Sequence, residues 1–181
     1  MALGSLLLVG SSVVWAPAGQ AGTGEGGGGR WGGDGRWGIT CTGSSMSHYD
    51  PPLTLTPHPS HVHADIRYDS CTIAPGHTVP ATGSFDSDLP EPVCIELAGG
   101  NGVESVHYAD GHKSLIVYDS ATTARAAGLL ILEQSGHVKE GRGKGHLVRR
   151  TVTGPPHELP TDCLTSGLRG GGNGVQLEIQ P

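Results

Sequence analysis

From Trp37 onward the chain alternates between apolar and polar positions. In His61-Val62-His63-Ala64-Asp65-Ile66-Arg67-Tyr68 the even positions are apolar and all the odd ones polar. This period of two marks a strand with one buried and one wet face. Gly174 to Gln180 repeats it, with Val175, Leu177 and Ile179 on one side. Val103 to Tyr108 and Lys113 to Tyr118 flank Ala109-Asp110-Gly111-His112. Asp-Gly tolerates the positive φ of a tight turn, so this stretch predicts a hairpin.

Leu129 to Gln134 and His146 to Val152 form a second pair, joined by the glycine-rich stretch from Gly136 to Gly145. Gly38–Gly43, Leu53–Thr56 and Val79–Phe85 complete the predicted strands. Helical spacing is confined to Pro92–Leu97 and Leu159–Leu164, each long enough for one turn and each holding a cysteine. About eight to ten short strands at near-regular spacing predict an all-β fold, either a small antiparallel barrel or a β-sandwich. The closing strand and the many strand glycines favour the barrel.

Cysteine usage adds a compartment. Cys41, Cys71, Cys94 and Cys163 are widely spaced and form no C-x-x-C pair, so zinc-ribbon and thioredoxin chemistries lack their spacing. An even set of this kind predicts two disulfides and an oxidising environment. Of the three pairings, Cys41–Cys71 with Cys94–Cys163, neighbours in order, is favoured.

The N-terminal region points the same way. Leu6 to Val9 and Val13 to Trp15 form an apolar stretch followed by the small residues Ala16, Ala18 and Ala21, as in an export signal. It is too short and too diluted by Gly and Ser for a transmembrane helix. No Lys or Arg precedes Arg30, so the export reading requires a start upstream of Met1 to supply the basic segment. The domain organisation is then a signal peptide over 1–21, a glycine-rich linker over 22–37 and one all-β domain over 38–181. The linker repeats Gly-Arg-Trp-Gly at Gly29–Gly32 and Gly35–Gly38. It reads as a flexible spacer, or as an Arg/Trp arm for a wall or partner surface.

Charge then excludes one class of partner. The net charge is −6 with histidines neutral, and positive residues cluster only at Arg149-Arg150 and around Arg142 and Lys144. Nucleic-acid binding needs more clustered positive charge than this.

Several short elements resemble a group of small secreted actinobacterial β-domain proteins with two disulfides and no assigned activity. They are Gly38-Ile39-Thr40-Cys41-Thr42-Gly43, Pro52-Leu53-Thr54-Leu55-Thr56-Pro57, Tyr68-Asp69-Ser70-Cys71, Val93-Cys94-Ile95-Glu96-Leu97, and Cys163-Leu164 followed by Gly172-Asn173-Gly174-Val175. The resemblance implies fold and export, and carries over no functional residues.

One patch has the residue types for metal chemistry. His61 and His63 share the wet face of their strand, about 6.5 Å apart along its axis, with Asp65 beside them. Two imidazoles and a carboxylate can ligate zinc or copper. The competing reading is a solvated strand face in a chain of ten histidines. Asp86-Ser87-Asp88-Leu89-Pro90-Glu91 reads as an acidic loop without the spacing of an EF-hand. No Gly-x-Ser-x-Gly elbow is present. The expectation is therefore a secreted, non-enzymatic binding or surface-interaction module with an extracellular or cell-wall partner and no required cofactor. The alternative is a small secreted enzyme or metal-binding protein with a histidine-lined site.

Overall fold

Eight antiparallel strands close into one barrel. In this computed structural model the described residues are 37–94, 101–126, 129–154 and 161–181. The expected signal peptide (1–21) and all but the last residue of the expected linker (22–37) lie outside them. The strands are β1 (Ile39–Leu53), β2 (Ser60–Ala74), β3 (His77–Leu89), β4 (Gly102–Tyr108), β5 (Lys113–Ala126), β6 (Leu129–Gly141), β7 (Leu147–Thr153) and β8 (Leu168–Ile179), with one helical turn, α1 (Thr161–Leu164), before β8. Each strand pairs with the next, and β8 pairs back onto β1. Closure removes every sheet edge and decides barrel over sandwich.

The alternation read from the sequence becomes the inside and outside of this barrel. Val62, Ala64, Ile66 and Tyr68 are buried, while His61, Asp65 and Arg67 are exposed and His63 is half-buried. Val175, Leu177 and Ile179 are likewise buried. Each fully buried Leu, Ile or Val contributes about 1.5–3 kcal/mol relative to exposure.

Several strands run further than their local sequence suggests. The two segments expected at Gly38–Gly43 and Leu53–Thr56 are replaced by one strand, β1, that stops at Leu53. Its Ser-rich middle is held by register with β2 on one side and β8 on the other. The Gly136–Gly145 connection shrinks, because β6 continues to Gly141. Gly136 belongs to that strand, where a Cβ would collide with the Val117 carbonyl of β5. The acidic loop from Asp86 is instead the end of β3, which runs to Leu89. In the described part of Pro92–Leu97, Val93 forms a bridge and Cys94 a turn. The hairpin at Asp110-Gly111 is as expected, with φ of +88° at Gly111. α1 supplies the helical turn expected near Cys163.

The two ends of the barrel differ. At one end Cys41 and Cys71 sit opposite each other on β1 and β2, fully buried and disulfide-bonded. Ile39, Tyr108, Val138, Val148 and Ile179 fill the space around them. The β6–β7 turn folds over this end, its Gly143 packed against Ile179. Arg142 in that turn donates to Asp110 Oδ2 at 2.7 Å and lays its guanidinium over the Tyr108 ring. The opposite end carries the second disulfide, Cys94–Cys163. Together with Leu53, Tyr49 and Leu168, that bridge forms a small apolar cluster of its own. Here the interior is open.

Candidate functional site

A cavity with about 70 Å³ of enclosed space enters the barrel from the open end. Its walls are mainly apolar: Val62 and Ala64 of β2, Leu89 of β3, Leu130 and Leu132 of β6, and Val152 of β7. Ser47, Ser87 and Asn173 add polar groups, and all three are hydrogen-bonded. Ser87 Oγ donates to the Asn101 carbonyl, and Asn173 Nδ2 donates to Ser47 Oγ. Among the described residues that line it, Arg150 is the only charged one.

Arg150 reaches the interior because it is in phase with Val148 and Val152 along β7. All three point inward, and the Arg150 side chain is only 3 % exposed. Its guanidinium lies 4.5 Å from the centre of the Phe85 ring and 6.0 Å from that of Tyr118, within range for cation–π attraction. Nη1 donates to Gln134 Oε1 at 3.0 Å. Glu104 of β4 lies deeper, fully buried. Its Oε1 accepts from Tyr68 Oη at 2.6 Å and its Oε2 from Tyr118 Oη at 2.7 Å. Arg150 Nε stands 3.6 Å from Glu104 Oε2, close enough for an ion pair. That contact is too long for a hydrogen bond, and Nε has no acceptor.

The electrostatics follow from burial. Desolvation acts to lower the Arg150 pKa, but Glu104 and then Tyr118 and Tyr68 outweigh it and hold it above the ordinary value. Burial first, and Glu104 next, push Tyr68 and Tyr118 well above the usual phenol range. Both therefore stay protonated and donate to the carboxylate. Burial also pushes Tyr49, on the cavity wall, up to about 12 against the pull of Arg150. A buried donor without an acceptor costs about 1–3 kcal/mol. The Arg150 guanidinium is thus fixed in place with donor capacity that the protein does not use.

The histidines foreseen as ligands lie on the outer wall. His61, His63 and Asp65 project from the wet face of β2, where β3 brings Asp86 and Asp88 alongside. His61 Nδ1 contacts Asp88 Oδ1 at 2.9 Å, and His63 Nδ1 contacts Asp86 Oδ1 at 2.7 Å. Asp65 Oδ1 is 3.6 Å from His63 Nε2. Imidazole and carboxylate alternate here as a hydrogen-bonded ladder. Among the described residues, no group of three or more His, Cys, Asp or Glu is arranged to hold a metal. The ladder raises the pKa of His61, chiefly through Asp88, and of His63, chiefly through Asp86. It lowers that of Asp86, chiefly through His63.

Sequence reasoning missed the interior polar set. Arg150 read only as half of the short basic pair Arg149-Arg150. The available signal was phase: Arg150 alternates with Val148 and Val152, and Glu104 with Val106 and Tyr108. No family model, no curated protein and no solved structure matches this chain.

Proposed function

We propose that this protein is a secreted, non-enzymatic binding module that holds a small ligand inside the open end of its barrel. The observation that carries this reading is the cavity, apolar-walled and floored by one immobilised cation. An eight-stranded barrel has an interior that side chains fill or that holds one small ligand. This interior is filled at one end and open at the other. A concave, largely apolar site with a few fixed polar groups is the usual form of a small-molecule site.

Export rests on the disulfides. Two such bonds are compatible with an extracellular protein, and no helix of the described residues is long and apolar enough to cross a membrane. The apolar, small-residue pattern before Gly22 supports a cleaved signal, and an Arg/Trp linker would tether the barrel to an extracellular or cell-wall surface. The histidine-lined alternative gains nothing from the cavity, since no histidine is among its lining residues.

A thermal-shift screen of the full chain against small apolar and amphipathic molecules tests the reading, because a true ligand raises the melting temperature. Ala121→Trp, which fills the mouth from β5, should abolish the shift while leaving the unliganded melting temperature within a few degrees. A shift that persists in this variant places binding elsewhere and overturns the reading.

A further inference from the structure

We propose that the cavity selects a small carboxylic acid with an apolar body, whose carboxylate is received by Arg150. The inference rests on the binding-module reading and adds the chemistry of the ligand.

Three observations converge on it. The first is the sign of the charge that faces the cavity. Glu104 neutralises Arg150 from below but is not among the lining residues, and among the described residues no other charged one is. An entering ligand therefore meets a cation, with the compensating carboxylate screened behind it. An ammonium head would be repelled there.

The second is donor capacity. A guanidinium carries five N–H groups. Gln134 takes one through Nη1, and Nε is buried and turned toward Glu104, so the remaining N–H groups of Nη1 and Nη2 are the ones left to meet a ligand. Glu104 does not take the remainder, because its nearer oxygen stands 3.6 Å from Nε, beyond hydrogen-bond distance. What would complete this site is an acceptor-rich planar group, and a carboxylate matches the fork of an arginine. Stacking on Phe85 fixes the guanidinium plane, so little further side-chain freedom is lost on binding.

The third is the wall. Ser47, Tyr49, Ser87, Gln134 and Asn173 also line it, but Val62, Ala64, Leu89, Leu130, Leu132 and Val152 make most of the wall apolar, so the remainder of the ligand must be mainly apolar. The enclosed part, about 70 Å³, takes the head group and the first few carbons, and the rest of the apolar body lies in the mouth.

The test compares ligands that share one body and differ in head group: octanoate, octanamide, octanol and octylamine. Each is titrated into the full chain by calorimetry at neutral pH, with 3-phenylpropionate as a second acid. Octanoate should bind at least about tenfold tighter than octanol or octanamide, and octylamine should not bind. The paired variant Arg150→Met with Glu104→Gln keeps the core uncharged. It should lose the preference for the acid while binding octanol as before. Arg150→Lys keeps the charge without the fork, and should retain a reduced preference. Circular dichroism confirms that each variant is folded.

Octanol binding as tightly as octanoate would overturn the carboxylate inference and leave the binding module standing. An acid preference unchanged in the paired variant would also overturn it. If no compound of the series binds, both readings fall.

Discussion

Arg142 and Arg150 both lay a guanidinium on an aromatic ring and face a carboxylate, yet they do different work at the two ends of one barrel. Arg142 belongs to a turn that caps the closed end. It hydrogen-bonds Asp110 directly at 2.7 Å, and Asp110 is partly exposed. Burial works against ionisation of Asp110, but Arg142 and the His112 amide hold its pKa below the usual carboxylate range. Arg150 belongs to a strand and stands in the middle of the barrel. Its carboxylate is fully buried, 3.6 Å away, and engaged by two tyrosines instead. The first pair seals an end. The second leaves a cation with unused donors facing a cavity. Each arginine keeps one buried donor without an acceptor, Arg142 Nη1 and Arg150 Nε, so what separates the latch from the receptor is the cavity beside Arg150.

Removing the disulfide at each end separates sealing from binding. Loop-closure entropy predicts a loss of about 4.4 kcal/mol for Cys94→Ala with Cys163→Ala and about 3.6 kcal/mol for Cys41→Ala with Cys71→Ala, from separations of 69 and 30 residues. Denaturant unfolding measures both. Only the first pair borders the mouth, so only its loss should also weaken ligand binding. Equal weakening by both would show that the ends are not independent.

The two carboxylates come next. Glu104→Ala strands a buried guanidinium and two phenol donors, and should cost about 3 kcal/mol. This is the low end for breaking a buried pair, because the ions are not hydrogen-bonded to each other. Asp110→Ala should cost only about 1 kcal/mol, since Arg142 keeps its ring contact and water reaches the site. Urea midpoints for the two variants check the contrast directly, and a similar loss in both would erase it.

The outer histidine ladder sets the smallest effect. The pKa values of His61 and His63 are raised, so their contribution is complete below about pH 6.5 and is lost as pH rises through their folded values. The pKa of Asp86 is lowered, so its contribution is complete above about pH 4 and is lost as pH falls through its folded value. The ladder therefore adds stability mainly between these limits, by about 0.5 kcal/mol or less because the groups are exposed and screened. Melting temperatures across pH 4–8 should show a shallow maximum in this window. His61→Gln with His63→Gln should flatten it without touching ligand binding.

Much of this fold is legible locally. The alternation in β2 and β8 assigns every side chain there to inside or outside, because a strand turns each residue to the opposite face. Asp110-Gly111 marks its hairpin through the backbone freedom of glycine at positive φ. β1 was harder to read, because its inward positions include Ser45 and Ser47 and its identity as one strand depends on neighbours at both sides. The candidate site was barely legible. His61 and His63 were placed correctly on a wet face, but their partners Asp86 and Asp88 come from a strand whose register no local pattern sets.

By itself, the sequence determined an all-β chain with an oxidised cysteine set and strand phases that point Arg150 and Glu104 the same way as their apolar neighbours. Periodicity and composition act within a few residues, so they can specify that much. Only the tertiary structure decided that the sheet closes and that β4 and β7 face each other across one interior. Closure also left one end packed and the other open. The reason is that closure sums register over eight strand pairs, and a charged side chain becomes buried, paired or available only once every neighbour around the ring is in place.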